Sequence, residues 1–245
     1  MTKIHGKQDL ASLLTPFGQE HLLRFWDRLS TAEQSHFAEQ LLSIDWARVT
    51  GWVRQAAGGG AVALPFDQLQ PAPYQSLTPA TETERQDHAQ AIQHGEDLLR
   101  QGRVAAFTVA GGQGTRLGYD GPKGTYPVTT VRVKSLFQLF AEGILRAQDL
   151  YQTTIPWYIM TSVANGGDTT DFFRQNDYFG LDPALVTTVV QGMLPAFDAQ
   201  GRALLAAPGC LALSPNGHGG SFAALHDSGA LDDMAARGVE IISYF

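Results

Sequence analysis

Cysteine is almost absent from this chain: Cys210 stands alone among 245 residues. No intrachain disulfide can form, and no Cys/His spacing suits zinc, so Cys210 reads as a small packed side chain. Long apolar runs are missing too. The stretch from Met1 to Leu14 is broken by Lys3, His5, Lys7 and Asp9, which denies it the apolar centre of a signal peptide. No segment approaches the length of a membrane span. Positive charge is scarce, with 17 Lys and Arg against 24 Asp and Glu and a formal net charge of -7. Such a chain has no electrostatic means of holding a polyanion along its surface, so neither nucleic acid nor an anionic membrane is an expected partner. A soluble cytoplasmic protein is the expectation. The sequence carries no sign of oligomeric state.

What is present is ordinary globular composition, 44% hydrophobic and 17% charged, at a length that fits one large domain or a medium one with a small appendage. Between Phe17 and about Trp46 the pattern predicts two helices. Leu22, Phe25 or Trp26, and Leu29 recur at helical spacing in the first. Ser30-Thr31-Ala32-Glu33 fits a capping box at the start of the second, followed by the stripe Phe37, Leu41, Ile44. From 56 to 80, Gly58-Gly59-Gly60 and Pro65, Pro71, Pro73 and Pro79 predict an extended surface connector. A helix is expected over 82–101, with Ala89, Ile92, Leu98 and Leu99 as candidate buried positions.

Strand and helix alternate from Arg103 onward. Val104 to Ala110 is a short apolar run ending in glycines, as suits a buried parallel strand. An amphipathic helix over 135–148 would present Leu136, Leu139 or Phe140, Ile144 and Ala147. Further strands are expected at 156–161, 186–190 and 239–244, and helices from Thr169 and over 231–237. This alternation predicts a doubly wound α/β sheet, with a helical region and connector over 1–100 and the sheet domain over 101–245. In open α/β sheets, ligands sit beyond the carboxyl ends of the strands. Phe245 falls at the tip of the last strand, so the expectation is a domain cut short at its C-terminus.

The informative segment is Ala110-Gly111-Gly112-Gln113-Gly114-Thr115-Arg116-Leu117-Gly118, followed by Gly121-Pro122-Lys123-Gly124. Small residues after a strand let backbone N–H groups turn inward around an anion. Arg116 and Lys123 add positive charge suited to polyphosphate oxygens. A Walker A loop is excluded, because Lys123 lies between Pro122 and Gly124 rather than before Ser or Thr. A dinucleotide fingerprint begun at Gly112 finds Leu117 in its third glycine position and fails as well.

With its Pro-Lys-Gly continuation, this segment resembles the signature of the eukaryotic-type UDP-sugar pyrophosphorylases, particularly the UDP-N-acetylglucosamine pyrophosphorylases. Later segments agree in order: Trp157 to Ser162, Phe172-Phe173, Tyr178 to Leu181, and Gln191-Gly192-Met193-Leu194-Pro195-Ala196. At the N-terminal end, Gly18-Gln19 and His21 to Trp26 are similar as well.

The resemblance implies a Rossmann-like, GT-A-like nucleotidyltransferase sheet and a uridylyltransferase that joins UTP to a sugar 1-phosphate. It implies Arg116 and Lys123 as catalytic charge stabilisers. Nucleotide contacts are implied at Ala110, Gly111, Gly112, Gly114 and Thr115, with Gln191 reading the uracil edge and Gly217 on the nucleotide side of a second glycine turn. His218 is implied to touch the sugar phosphate. N-acetylglucosamine 1-phosphate is the implied sugar, but the acetylglucosamine group carries Asn where this chain has His218. Gly-His-Gly is the pattern of glucose-type and broad-specificity relatives, which keeps glucose 1-phosphate or several sugars open. Magnesium is the implied cofactor, with its aspartate ligand expected a few residues past Phe245, so no metal ligand is assigned here. Asp168, Asp171, Asp232 and Asp233 read as helix-start carboxylates rather than metal ligands. A nucleotide-binding fragment without turnover is the alternative of another class. A nicotinamide-binding protein is disfavoured by the broken third glycine.

Overall fold

The computed structural model describes residues 6–57 and 68–245. They form two compact units, one of Met1–Ala72 with Met193–Ser214 and the other of Pro73–Gly192 with Pro215–Phe245.

The first unit contains helices α1 (Lys7–Leu14), α2 (Thr31–Leu42) and α3 (Trp46–Ala57). The predicted capping box forms at α2: Ser30 Oγ accepts from the Glu33 N–H, and the Glu33 carboxylate accepts from the Ser30 N–H at 2.7 Å. The segment before it, Glu20–Arg28, winds as a 3-10 helix rather than an α-helix. At three residues per turn it aligns Leu23 with Trp26, and Leu29 lies beyond its end in extended conformation. Leu10, Leu14, Leu22, Trp26, Phe37 and Trp46 make the core of this unit, and Ala203 and Leu211 complete it. Leu211 comes from one of two short ribbons, in which β4 (Met193–Pro195) pairs with β7 (Leu213–Pro215) and β5 (Leu205–Ala207) with β6 (Cys210–Leu211), and Ala203 bridges to Phe197. Cys210 is half-buried in β6. Of the expected connector, residues 58–67 lie outside the described residues, and 69–80 carry neither helix nor strand.

The second unit opens with α4 (Glu82–Arg100), capped by Thr81 and Glu84. Its predicted buried positions need correction: Ala89 and Ile92 are exposed, and Leu98 and Leu99 are half-buried. Among the described residues, α4 meets α5 (Leu136–Tyr151) and Leu99 of its last turn packs on the core there, while Ala89 and Ile92 farther up the helix remain uncovered. On α5 Ile144 is buried as expected, with Phe140 and Ala147 packed against the same cluster, and Phe137 and Ala141 join it there.

Four parallel strands follow in the order β3 (Val186–Val190), β2 (Trp157–Thr161), β1 (Val104–Val109), β8 (Ile241–Tyr244). Successive residues point to opposite faces. Ala106, Trp157 and Ile159 meet Phe137, Ile144 and Phe173 on one side, the last from α6 (Gly166–Gln175). Phe107, Tyr158 and Met160 meet α7 (Ser221–Asp227) and α8 (Ala230–Ala236) on the other. Helices on both faces of a parallel sheet make the expected doubly wound fold. The chain runs outward from β1 to β2 and β3, then returns to place β8 on the opposite side of β1. That reversal puts the topological switch point between β1 and β8, where such sheets bind ligands.

Candidate functional site

The loop that leaves β1 at this switch point is tightly built. The Ala110 N–H donates to Met160 at 2.7 Å, extending the sheet by one residue. The loop then doubles back: the Gly114 N–H donates to Gly121 O at 2.9 Å and the Lys123 N–H to Gly112 O at 3.0 Å. Gly114 packs under Tyr119, whose ring would lie 2.7 Å from any Cβ added there. The Tyr119 hydroxyl is bonded to Thr125 Oγ1 at 2.8 Å, which ties the returning arm together. Among the described residues, the amide N–H groups of Gly111, Gly112 and Gln113 donate to no protein acceptor. Free donors on a glycine-rich turn are groups that an anion can satisfy.

Arg116 and Lys123 stand on the exposed side of this loop, and neither forms an ion pair among the described residues. Exposed cations of this kind are open to a ligand's negative charge. Thr115 opens a 3-10 turn, Thr115–Leu117, that ends on left-handed Gly118.

Beside the loop, Gln191 follows β3 with its N–H bonded to Thr161 O at 2.7 Å, and its side chain is buried against Gly111. Next to it, Gly192 O accepts from the Asn216 N–H at 3.0 Å. The Asn216 amide fills the space where Gly192 or Gly220 would carry a side chain. This clasp leads into Gly217, whose φ of 67° and ψ of -160° suit only glycine. His218 follows, and its Nδ1 is bonded to the Tyr244 hydroxyl at the end of β8. A cavity of about 400 Å³ lies there, with Phe107, His218, Ser221, Phe222 and Tyr244 in its wall. Among the described residues, the buried Ser221 hydroxyl has no partner.

Residues 63–244 match the family of UTP–glucose-1-phosphate uridylyltransferase. The chain belongs to that family. It is 37% identical over 251 residues to the mouse UDP-N-acetylhexosamine pyrophosphorylase-like protein 1, covering 98% of this chain and 50% of the relative. It is 33% identical over 246 residues to the UDP-N-acetylglucosamine pyrophosphorylase of Saccharomyces cerevisiae, covering 95% and 51%. The structure of the Trypanosoma brucei uridine diphosphate N-acetylglucosamine pyrophosphorylase superposes with a TM-score of 0.77 at 25% identity, over 100% of this chain and 52% of that one. The chain thus spans about half the length of the curated relatives it matches.

For this uridylyltransferase-family chain, the structure gathers Gly111, Gln191 and the Asn216–Gly217 clasp along neighbouring strand ends, with Arg116 and Lys123 on the β1 loop. His218 belongs to the β8 side of the same sheet edge. Asp168 lies in the first turn of α6, and Asp232 and Asp233 in the first turn of α8. Asp233 also accepts from the Tyr158 hydroxyl at 2.6 Å and from Arg237 Nε at 2.9 Å. Among the described residues, no group of three or more His, Cys, Asp or Glu is arranged to hold a metal ion. No described helix is long and apolar enough to cross a membrane.

Three contributors escape a reading of the sequence. Asn165 and Asn216 act through their side-chain amides and Tyr119 through a ring packed over Gly114, and each sits in a stretch that looks like an ordinary turn. Asn165 offers one signal: it precedes α6 in the place of a capping residue, yet makes no side-chain cap there. Its amide is used elsewhere.

Proposed function

We propose that the second unit holds the uracil and phosphates of UTP for uridylyl transfer to a sugar 1-phosphate. The observation that carries this reading is the row of free N–H donors at Gly111, Gly112 and Gln113, flanked by Arg116 and Lys123 and bordered by the buried Gln191 amide. A primary amide offers both donor and acceptor, which an edge such as uracil's requires. The names of the related proteins support the uridine nucleotide and the sugar phosphate.

The reaction demands little of the protein in acid–base terms. The nucleophile is a phosphate oxygen of the sugar 1-phosphate, already largely ionised near neutrality because its second pKa is about 6. It attacks the α-phosphorus of UTP; an O–P bond forms there and the bond to the β-phosphate oxygen breaks, releasing pyrophosphate. The protein's task is to align two anions and offset their repulsion. Backbone donors, Arg116 and Lys123 serve that task. Ala110 and Thr115 lie on either side of the donors, and Gly217 is proposed as the contact from the second turn.

N-acetylglucosamine 1-phosphate is the proposed sugar, following the names of the relatives. His218 supports a second reading, glucose 1-phosphate or several sugars, because an imidazole can donate to a hydroxyl or a phosphate. Magnesium belongs to the proposal as a counterion for the phosphates, commonly bound through one or two carboxylates and the substrate itself. The described residues offer no donor cluster for it. A cytoplasmic setting is part of the same reading.

The experiment incubates the protein with UTP, magnesium and a panel of sugar 1-phosphates and follows pyrophosphate, with UTP binding measured in parallel. Binding with turnover supports the transferase. Binding without turnover limits this chain to the nucleotide site, and absence of both rejects the proposal.

A further inference from the structure

Asn165 is fully buried and uses all four hydrogen-bonding positions of its amide. Its Oδ1 accepts from the Ser162 N–H at 2.8 Å and from the Ser162 hydroxyl at 2.9 Å. Its Nδ2 donates to Ala110 O at 2.9 Å and to Gly112 O at 3.3 Å. The orientation of the amide is fixed by its partners: a backbone N–H can only donate and a carbonyl can only accept, so a flipped amide would lose three of the four bonds. A side chain at the start of α6 is therefore tied across to the glycine loop after β1 instead of capping its own helix.

Those two carbonyls matter because of peptide geometry. In a trans peptide the C=O of one residue and the N–H of the next point in opposite directions, and no cis bond occurs among the described residues. When Asn165 draws the Ala110 carbonyl toward itself, the Gly111 N–H must face away. When it shares the Gly112 carbonyl with the Lys123 N–H, the Gln113 N–H must face away too. Both outward N–H groups belong to the row that has no protein acceptor.

We propose that Asn165 is a positioning residue that sets the direction of the anion-binding N–H groups by holding the carbonyls behind them. Glycines at 111 and 112 could otherwise rotate their peptide planes at small steric cost, and a rotated plane would turn a carbonyl oxygen toward the phosphates. Ser162 takes part by fixing the amide's other end. This inference rests on the nucleotide reading above for the identity of its anion, but not for the geometry of the loop.

The test compares the parent protein with Asn165→Ala and Asn165→Asp in titrations with UTP, uridine and inorganic pyrophosphate, alongside thermal melts. Asn165→Asp keeps the acceptor for Ser162 and loses both donors. The expected result is at least a tenfold loss of UTP and pyrophosphate affinity in each variant, with uridine binding within twofold of the parent. UTP and pyrophosphate affinities within twofold of the parent in a folded variant would overturn the proposal. So would an equal loss for uridine, which would mark general disruption of the site, or failure of both variants to fold. A parent that binds pyrophosphate but not UTP rejects the nucleotide reading and leaves the loop comparison to be read with pyrophosphate. A parent that binds neither rejects both.

Discussion

The amide oxygen of Gln191 occupies the space that a side chain on Gly111 would need: a Cβ there would sit 2.6 Å from Gln191 Oε1. Two residues from different strand ends are thus fitted to each other, one by having no side chain. The glycine is required by its neighbour rather than by its own backbone, since its φ is not among the positive ones.

Gly111→Ala should therefore act through Gln191. The added methyl meets the end of a side chain rather than backbone, so the fold adapts and the thermal midpoint changes little. Gln191 is pushed from its place, and UTP affinity falls about tenfold, the worth of one well-made hydrogen bond. Calorimetric titration beside a melt checks this; unchanged affinity would separate Gln191 from nucleotide recognition.

Gly124→Ala should behave in the opposite way. A Cβ at 124 would lie 2.2 Å from the Phe137 ring, and that ring is held between Trp157 and Phe173 at centroid distances of 6.3 and 5.0 Å. Overpacking a confined core costs about 1–3 kcal/mol. Urea unfolding should show the loss as a lower midpoint with an unchanged slope.

The Tyr158–Asp233–Arg237 group predicts a pH response at both ends of the scale. The Tyr158 hydroxyl, and then Arg237, hold the Asp233 carboxyl below its ordinary value of 3.8. A depressed carboxyl stabilises the fold above its unfolded pKa, and that contribution disappears as pH falls below about 4. Burial, and then Asp233, raise the Tyr158 phenol above its ordinary value of 10.0. A raised phenol contributes fully below pH 10 and is lost as pH climbs past it. Tyr158→Phe should cost about 1–2 kcal/mol near neutrality, because Asp233 keeps Arg237 and partial contact with water. It should also flatten the fall in stability above pH 10, as urea melts across pH would record. An unchanged alkaline limb would remove Tyr158 from the account.

Much of this is legible in the sequence. The β1 run and the glycine loop announce themselves through local patterns, small residues after an apolar strand and cations at fixed offsets, whereas Gln191 stood out only through the family resemblance. What stayed hidden depends on distance along the chain. Gln19 donates to Gly201 O at 2.9 Å and accepts from the Ala203 N–H at 2.8 Å, and no local periodicity records a bond spanning that much sequence. Asn165 and Asn216 were illegible for the same reason, since an asparagine in a turn looks alike whether its amide meets water or a neighbouring loop. The error over Ala89 and Ile92 has a different origin. Helical spacing shows which residues share a face, but not whether another element comes to cover it.

The central claim is that the loop spanning Gly111 to Lys123 binds the phosphates of a uridine nucleotide through its N–H groups and two cations. The most direct measurement is UTP affinity of the parent against the Arg116→Ala, Lys123→Ala double variant, with a melt to show that both are folded. Both side chains are exposed, so stability should be unchanged. Each charge-assisted contact is worth about 1.5–3 kcal/mol, and their joint loss should weaken UTP binding about a hundredfold or more. A folded double variant that binds UTP as tightly as the parent would contradict the account.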